Sequence, residues 1–435
     1  MAEPAAQGFR LTMNDDASRQ FARAMDTEDP LRGFRDEFNF PEARHGNACI
    51  YLCGNSLGLQ PKLAVRLVDE ELEDWGRLAV LGHLQGRRPW LPYHRQATDG
   101  IADLTGARPQ EVVSMNTLTV NLHLMMTSFY RPTRERRKIL IESTAFPSDR
   151  FAVLSQLQLH GGDPRTDLIE WQPREGENEL KAGDLARLLA DHGHSIALML
   201  LPGVQYYSGQ VLDMPELCRL ARDAGCRIGL DLAHAIGNVP LELHDWAPDF
   251  AVWCSYKYLN AGPGAIAGAF VHERNLGDAS IPRLLGWWGH DEATRFQMAA
   301  SFTPARGAEH WQLSNPPILS FAPLLASLQI FHRAGMHRLR MKSERLTSYL
   351  AESLQQRFGG RVVSITPENA RGCQLSLQVV DRALDARRVF ESLEQQNVIA
   401  DWREPNVIRV APVPLYNSYE DVYDFLQRLG IALDA

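Results

Sequence analysis

The feature that most constrains the fold of this chain is an alternation of short apolar runs with amphipathic stretches between about residues 110 and 255. The apolar runs have the length of buried strands, and the stretches between them carry apolar residues at helical spacing. The strand candidates are 112–115, 139–142, 196–201, 228–231 and 250–255, and the helix candidates begin near 120 and span 149–159 and 214–224. Strand and helix in alternation predict an α/β fold with a mainly parallel central sheet covered on both faces.

The pattern changes at residues 315–317, where Asn-Pro-Pro interrupts it. A long helical stretch from about 323 to 357 follows, and beyond it lie strand candidates at 362–365, 374–379 and 407–410 with a helix candidate at 387–396. We therefore predict an N-terminal arm at 1–48, a large α/β domain at 49–315, and a linking helix with a smaller C-terminal α+β domain at 316–435.

Composition excludes several classes of protein. With 45% hydrophobic and 23% charged residues among 435, the chain resembles ordinary globular proteins. The formal net charge is -8 and no long basic block occurs, so nucleic acid is not an expected partner. The N-terminal segment has no apolar signal region, and no window approaches the ~18 apolar residues of a membrane span. We expect a cytoplasmic protein without a membrane partner.

Neither the cysteines nor the histidines form a recognisable metal motif, and no metal is expected. The six cysteines make no C-x-x-C pair, which argues against a disulfide scaffold or a zinc ribbon. His192 and His194 lie in a polar stretch without obvious further ligands, and we interpret them as part of a solvated loop.

A lysine stands in an unusual setting at the end of the last strand candidate. Lys257 lies between two tyrosines and precedes the small-residue run Asn-Ala-Gly-Pro-Gly at 260–264. Desolvation lowers the pKa of a lysine, as Schiff-base chemistry requires, and glycines leave room for a bulky cofactor. A lysine that merely extends from a strand end to water would give the same letters.

Asp231 strengthens the first interpretation, because it closes the strand candidate 228–231 upstream of Lys257. A carboxylate at a buried strand end needs a cationic partner. The protonated pyridine nitrogen of pyridoxal 5'-phosphate (PLP) is such a partner, and the ion pair keeps the ring an electron sink. A structural aspartate with other partners remains the alternative.

Two further segments have the character of a cofactor site. Residues 114–119 read Ser-Met-Asn-Thr-Leu-Thr between a strand candidate and a helix candidate, where backbone N–H groups and hydroxyls can hold a phosphate. The same residues would serve equally well as a plain helix cap. Residues 146–149, Phe-Pro-Ser-Asp, follow another strand candidate and offer an aromatic face and a carboxylate.

Nine runs spread over about residues 50 to 426 resemble one known family. They are YLCGNSLGLQPK (51–62), NTLTVNLHLM (116–125), AFPSD (145–149), LPGVQYYSGQ (201–210), DLAHAIGNVPLELHDW (231–246), WCSYKYLNAGPGAIAGAF (253–270), LLGWWGHDEATRF (284–296), LSNPPIL (313–319) and RVAPVPLYNS (409–418). The family is that of the kynureninases, which are PLP enzymes of the aspartate aminotransferase fold type I. A set of this length is far more specific than any short motif.

The resemblance implies a cofactor site built around Lys257, which would hold PLP covalently. Asp231 would pair with the pyridine nitrogen, and Tyr256 would reach the phosphate and serve as a proton relay. The further cofactor-binding positions that the resemblance implies are Leu118, Thr119, Phe146, Pro147, Ser148, Asp149, Pro202, His234, Trp287 and Asn315. Pro202 departs from the family pattern, since relatives carry a hydroxyl residue there and proline cannot donate a side-chain hydrogen bond.

The resemblance also implies a substrate pocket and a partner. Ser56, His83 and Asn315 map to the pocket, and Arg409 maps to the arginine that forks the α-carboxylate of the substrate. Trp287 and Asn315 would close the site from the second subunit of a homodimer. The implied reaction is hydrolytic Cβ–Cγ cleavage of L-kynurenine or 3-hydroxy-L-kynurenine to anthranilate or 3-hydroxyanthranilate and L-alanine, in tryptophan degradation or NAD biosynthesis.

Three alternatives compete with this interpretation. Residues 54–58 read Gly-Asn-Ser-Leu-Gly and match the G-x-S-x-G elbow of serine hydrolases, although few strand candidates precede them. Cys373 lies downstream of the lysine, roughly where cysteine desulfurases carry a persulfide, but it leads directly into a strand candidate. A non-enzymatic PLP binder is the third alternative, and the joint presence of Tyr256, Trp287, Asn315 and Arg409 argues against it.

Overall fold

The computed structural model describes residues 15–42, 48–298 and 300–435, with the side chains of 15–17 left out. The helices are α1 (Asp15–Glu28), α2 (Lys62–Leu78), α3 (Gly82–Gln85), α4 (Thr98–Thr105), α5 (Leu118–Phe129), α6 (Pro147–Leu159), α7 (Pro164–Asp167), α8 (Ala182–His192), α9 (Met214–Asp223), α10 (Leu243–Trp246), α11 (Glu273–Leu276), α12 (Ile318–Ala334), α13 (Met336–Phe358), α14 (Ala386–Gln395) and α15 (Tyr419–Asp434). Within the described ranges, no helix combines the length and the apolar character that a membrane crossing needs.

The strands are short, as is usual for α/β proteins. They are β1 (Phe38–Asn39), β2 (Ile50–Tyr51), β3 (Gln60–Pro61), β4 (Val112–Ser114), β5 (Lys138–Glu142), β6 (Leu168–Trp171), β7 (Ile196–Pro202), β8 (Arg227–Asp231), β9 (Phe250–Trp253), β10 (Gly268–Val271), β11 (Val362–Ser364), β12 (Leu375–Val379), β13 (Val398–Ile399), β14 (Asp401–Arg403) and β15 (Val407–Val410).

The chain divides into two units, which differ in extent from the predicted domains. The large unit comprises Asn55–Tyr206 and Gln210–Met336, and the small unit comprises the chain up to Gly54, Tyr207–Gly209 and His337–Ala435. The predicted boundaries after 48 and 315 are a hypothesis about folding domains and stay a prediction.

A seven-stranded sheet forms the centre of the large unit, in the order β4-β10-β9-β8-β7-β5-β6. The pairs from β6 to β9 are parallel, whereas β10 runs antiparallel to both β9 and β4. Parallel strands joined by helices bury both faces of the sheet, which is why β7 is apolar along its whole length. The predicted α/β class with a mainly parallel central sheet is confirmed.

Parallel pairing brings several strand ends to one edge of this sheet. The last residues of β7 and β8, Pro202 and Asp231, are direct neighbours across the ladder, and Glu142 ends β5 beside them. The strands approach closely because Gly229 lacks a side chain, and a Cβ atom there would lie 2.1 Å from the ring of Phe250. The carboxyl edge of such a sheet is where α/β proteins bind ligands.

The structure differs in two places from the elements predicted from the sequence. The long helix predicted over 323–357 is two helices, α12 and α13, because Gly335 between them has a φ of 77°. Strands β6 and β10 were not predicted, and β10 packs antiparallel against the strand that precedes Lys257. Gly268 opens β10, and because glycine is depleted in strands the local sequence signals this strand only weakly.

The small unit has its own antiparallel sheet, in the order β11-β12-β15-β14, with α1, α13, α14 and α15 supplying its apolar partners. A second ladder pairs β2 with β13 in parallel. Leu350, Leu375, Leu393, Val410 and Phe425 are fully or almost fully buried in this core. The predicted smaller α+β region is therefore present at the C-terminal end of the chain.

Candidate active site

A cavity opens at the carboxyl edge of the central sheet, and all of its lining residues belong to the large unit. They are Leu118, Thr119, Glu142, Phe146, Ser148, Asp149, Pro202, Val204, Tyr206, Asp231, Ala233, His234, Tyr256 and Lys257. Ten of the predicted site residues are thus gathered in one place. Distant segments meet here because the strands that precede them end at the same edge.

Lys257 follows β9 and reaches into this cavity. Its Nζ hydrogen bonds with Nε2 of His234 at 2.9 Å and lies 5.7 Å from the ring centroid of Phe146. The loop that carries Lys257 is anchored to the segment around Gly58, because the backbone N–H of Gly58 donates to the carbonyl oxygen of Tyr256 at 2.8 Å. A Cβ atom on Gly58 would lie 2.3 Å from the carbonyl oxygen of Lys257, so only glycine permits this approach.

Three carboxyl groups line the same cavity. Asp231 accepts a hydrogen bond from the backbone N–H of Ala233 at 2.8 Å, while Asp149 in the first turn of α6 is buried and its Oδ1 has no hydrogen-bond partner among the described residues. Burial and the neighbouring Asp231 hold the pKa of Asp149 well above its usual range. Burial, reinforced by the charge of Asp231, raises the pKa of Glu142 to about 8.

These carboxyl groups fit a cationic ligand atom. Three acidic groups that share one buried cavity do not all ionise without compensating positive charge, and Lys257 is the one lysine or arginine among the lining residues. A protonated ring nitrogen placed at Asp231 would satisfy the buried carboxyl pair and its unpaired oxygen. The observed chemistry of the site therefore matches the pyridine nitrogen of PLP.

PLP also carries a phosphate, and the N-termini of two helices are the candidate place for it. Neither α5 nor α6 has a side-chain cap, and their first residues, Leu118 and Pro147, lie next to the hydroxyls of Thr119 and Ser148. These two hydroxyls hydrogen bond with each other at 2.9 Å. In α6, Pro147 has no N–H and the N–H groups of Asp149 and Arg150 donate to the carbonyl oxygen of Phe146. The first turn of α5, the helix dipoles and the two hydroxyls are therefore the features that suit an anion.

Aromatic rings and one histidine complete the lining. Phe146 is 40% exposed and meets Tyr206 edge-on with ring centroids 5.2 Å apart. Burial, with a smaller contribution from Cys254, raises the pKa of Tyr256, so its phenol stays protonated. The sequence interpretation missed Glu142, Val204, Tyr206 and Ala233. The position of Glu142 at the end of a predicted strand was the available signal for it.

The remaining predicted residues do not line this cavity. Ser56 and His83 are partly buried in the large unit, Trp287 is 51% exposed, and Asn315 is also exposed. Arg409 belongs to the small unit, where it is only 1% exposed and its Nε and Nη2 contact the carboxylate of Asp401 at 3.0 and 2.8 Å. Pro147 opens α6 and is not among the lining residues either, and the roles implied for these six residues stay predictions. Pro202 lines the cavity and has no side-chain donor.

The competing motifs are placed where their chemistry would fail. The strand before Gly54-Asn55-Ser56, β2, is not part of the central sheet, so the setting of a hydrolase elbow is missing. Cys373 is fully buried in the small unit and its Sγ lies 3.4 Å from Oγ of Ser343, so no persulfide could be presented there.

One group of potential metal ligands does occur, away from the cavity, at Glu111, His244 and His272. Glu111 accepts the backbone N–H groups of Arg108 and Glu273, and Nδ1 of His244 lies 3.1 Å from it. His272 accepts from the backbone N–H of Arg274 through Nδ1 and pairs with the carbonyl oxygen of His244 through Nε2. These hydrogen bonds give the three side chains a structural role.

Comparison with solved structures identifies the fold. A C-DES mutant with glycine covalently linked to its PLP cofactor superposes with a TM-score of 0.74 at 19% identity, covering 89% of this chain and 99% of that one. The cysteine desulfurase CsdA from Escherichia coli gives a TM-score of 0.74 at 16% identity, covering 93% and 98%. The fold and the site together define a PLP-dependent enzyme of fold type I.

Sequence comparison then gives the family. The model of the kynureninase C-terminal domain matches residues 339–429. Proteins named kynureninase from Stenotrophomonas maltophilia (strain K279a) and Xanthomonas campestris pv. campestris (strain B100) are 55% and 53% identical, each over 96% of this chain and over 99% and 98% of their own lengths. The chain belongs to the kynureninase family, it is a hydrolase of carbon–carbon bonds, and its cofactor is PLP.

The raised pKa of Glu142 predicts a pH-dependent stability difference. In the folded protein this carboxyl holds its proton up to about pH 8, whereas in the unfolded chain it loses the proton near its ordinary value. The folded state is therefore favoured below the unfolded pKa, and that advantage is lost as the pH rises through about 8. We expect Glu142→Gln, which cannot ionise, to gain melting temperature relative to the parent as the pH rises from 5.5 to 8.5.

The matched control is Glu175→Gln, at an exposed position remote from the cavity. Its melting temperature should follow the parent at every pH. An equal difference between Glu142→Gln and the parent at both ends of the pH range would contradict a buried neutral carboxyl in the folded state.

Proposed function

We propose that this chain hydrolyses the Cβ–Cγ bond of L-kynurenine or 3-hydroxy-L-kynurenine, releasing L-alanine and anthranilate or 3-hydroxyanthranilate. The single observation that carries the proposal is the cavity in which Lys257, Asp231 and two uncapped helix N-termini converge. Identity of 55% to a relative named kynureninase supports the reaction. A role in tryptophan degradation or NAD biosynthesis, in the cytoplasm, follows from that substrate and remains part of the proposal.

The residues present can hold the cofactor and position it. Asp231 and Asp149 would bind the ring nitrogen, Phe146 would pack on the ring face, and the N-terminal turns of α5 and α6 would hold the phosphate. When bound, PLP supplies an electron sink for the carbon that carries the substrate amine. The cofactor-binding roles implied for Pro202, Trp287 and Asn315 are included in the proposal on resemblance alone.

Proton movement is assigned to two neighbouring residues. Lys257 would take the proton from the substrate α-carbon, and His234 holds its Nζ at 2.9 Å within the cavity. Tyr256, protonated because burial raises the pKa of its phenol, would pass a proton to the carbon left after cleavage. A buried donor next to the reacting atoms also limits side reactions with solvent.

Substrate recognition is assigned to residues outside the cavity lining. Arg409 would bind the α-carboxylate, as the resemblance implies, since a guanidinium has five donors in a planar fork. Ser56, His83 and Asn315 would form the pocket for the aromatic ring, as the resemblance implies.

The homodimer is supported by apolar surface around Trp287. The residues of the segment 284–298 include several large apolar side chains that are more than half exposed, namely Leu284, Leu285, Trp287, Phe296 and Met298. A groove among residues 285–302 lies in the same surface. Contiguous apolar surface of this kind is typical of a contact with another protein. We infer that this surface contacts a second copy of the chain.

The first experiment is a spectrum of the purified protein followed by addition of L-kynurenine. A visible band of lysine-bound cofactor and release of fluorescent anthranilate are expected. Lys257→Ala should lose the band that borohydride reduces and at least about 10³-fold in turnover, whereas Lys181→Ala in the loop before α8 should keep both. A band without anthranilate would move the protein to another PLP reaction, and no band after PLP is added would refute the site.

Tyr256→Phe tests the proton relay. The variant removes one hydroxyl from the cavity, so we expect about a 10²-fold loss of kcat with an unchanged cofactor spectrum. Tyr130→Phe is the control, because that hydroxyl donates to the carbonyl oxygen of Arg137 away from the cavity. Full turnover of Tyr256→Phe would assign the relay to another group.

Leu285→Arg and Met298→Arg test the proposed interface. Each places a charge in the apolar surface, and sedimentation should show a shift from dimer to monomer together with loss of activity. Leu159→Arg is the control, since Leu159 is 74% exposed on α6, outside this segment. A parent protein that sediments as an active monomer would refute the homodimer.

A further inference from the structure

Two buried acids on one face of α2 anchor the segment that follows α3. Glu71 and Asp74 are three residues apart, so they lie on the same side of the helix, and each is only 1% exposed. Acidic side chains are rarely buried without partners. Their partners come mainly from residues 87–93 of the large unit, and Arg77 on α2 adds one bond to Asp74.

Glu71 receives three side-chain donors from that segment. Its Oε2 accepts from Nε1 of Trp90 at 2.9 Å, and its Oε1 accepts from the hydroxyl of Tyr93 at 3.0 Å and from Nε of Arg88 at 2.5 Å. Asp74 adds a bond from the backbone N–H of Arg87 at 2.7 Å. A buried carboxylate with several short bonds fixes the groups around it, because breaking any one of them leaves a charge poorly solvated.

Trp90, held by Glu71, packs against His83 and limits the orientations of its ring. Its backbone N–H donates to the carbonyl oxygen of Gly82, and its ring covers that glycine so closely that a Cβ atom would lie 2.5 Å from the ring. The rings of Trp90 and His83 meet edge-on, with centroids 5.4 Å apart and planes at 88°. Nδ1 of His83 is shielded from solvent and has no hydrogen-bond partner among the described residues. The ring contact with Trp90 is therefore the identified constraint on this imidazole.

We propose that Glu71 and Trp90 are positioning residues that set the preference between kynurenine and 3-hydroxykynurenine by orienting the imidazole of His83. The inference rests on the proposed function, in which the resemblance places His83 in the substrate pocket. The two substrates differ by one ring hydroxyl. A single hydrogen bond can distinguish them only if its donor or acceptor is held in direction, and an imidazole presents its nitrogens in one plane.

The orientation of the His83 imidazole should change the preference between the two substrates by about the contribution of one hydrogen bond. Such a bond contributes about three- to tenfold in an equilibrium or rate constant when it is made in one complex and not in the other. Trp90→Phe keeps an aromatic ring over Gly82 and removes the Nε1–H that anchors it to Glu71. We expect the ratio of kcat/KM for the two substrates to change by about three- to tenfold in this variant, with the visible spectrum of the bound cofactor unchanged.

A double-mutant cycle separates positioning from general damage. The ratio of kcat/KM is measured for the parent, Trp90→Phe, His83→Ala and the double variant. If Trp90 acts through His83, Trp90→Phe changes the ratio in the parent and leaves it unchanged when His83 is alanine. Glu71→Gln should move the ratio in the same direction as Trp90→Phe, and Trp75→Phe on α2, at a 60% exposed position, should not move it.

The outcomes are distinct. Equal losses for both substrates in Trp90→Phe, or the same change of the ratio with and without His83, would overturn the proposal. If Glu71→Gln does not fold, the cycle with Trp90→Phe decides alone. A parent protein that cleaves neither substrate would instead refute the proposed function.

Discussion

The structure of the site depends on the enclosure of several carboxyl groups at the carboxyl edge of one parallel sheet. Glu142 ends β5, Asp231 ends β8, and Asp149 opens α6 immediately after the turn that leaves β5. Like charges at such distances are unfavourable in a buried cavity unless cations or protons compensate them. Burial, reinforced by the charge of Asp231, raises the pKa of Glu142 and of Asp149, and Lys257 lines the same cavity. The need for compensating positive charge explains why a cofactor with a basic ring nitrogen suits this fold.

The rest of the large unit serves to hold that arrangement. The uncapped N-terminus of α5 and the hydroxyls of Thr119 and Ser148 suit an anion, and Gly58 allows the polypeptide to pass close to the loop that carries Lys257. A buried histidine fixes the lysine nitrogen, and a pair of acids on α2 fixes the segment that carries Trp90. The residues suited to bind a ligand thus lie at the strand ends, and buried hydrogen bonds elsewhere in the large unit orient the side chains around them.

Much of the fold follows from local pattern. The strand candidates ending at Glu142 and Asp231 agree with β5 and β8. Short continuous apolar runs in an α/β protein are typical of strands whose two faces are both buried. The antiparallel β10 was not predicted because it begins with a glycine and because one of its two partners, β4, is remote in sequence. The predicted single helix over 323–357 was wrong because one glycine, Gly335, takes a left-handed conformation that apolar spacing does not reveal.

The sequence by itself determined the α/β class, the lysine and aspartate of the cofactor site, and the family, because strand periodicity and long matching runs are local properties of the chain. Only the tertiary structure decided that Glu142 joins the acids of the cavity, that Cys373 is fully buried, and that Glu71 holds Trp90 against His83. These facts depend on burial and on contacts between segments that are separated along the chain. Charge, reactivity and orientation are set by those surroundings, and no single stretch of residues contains them.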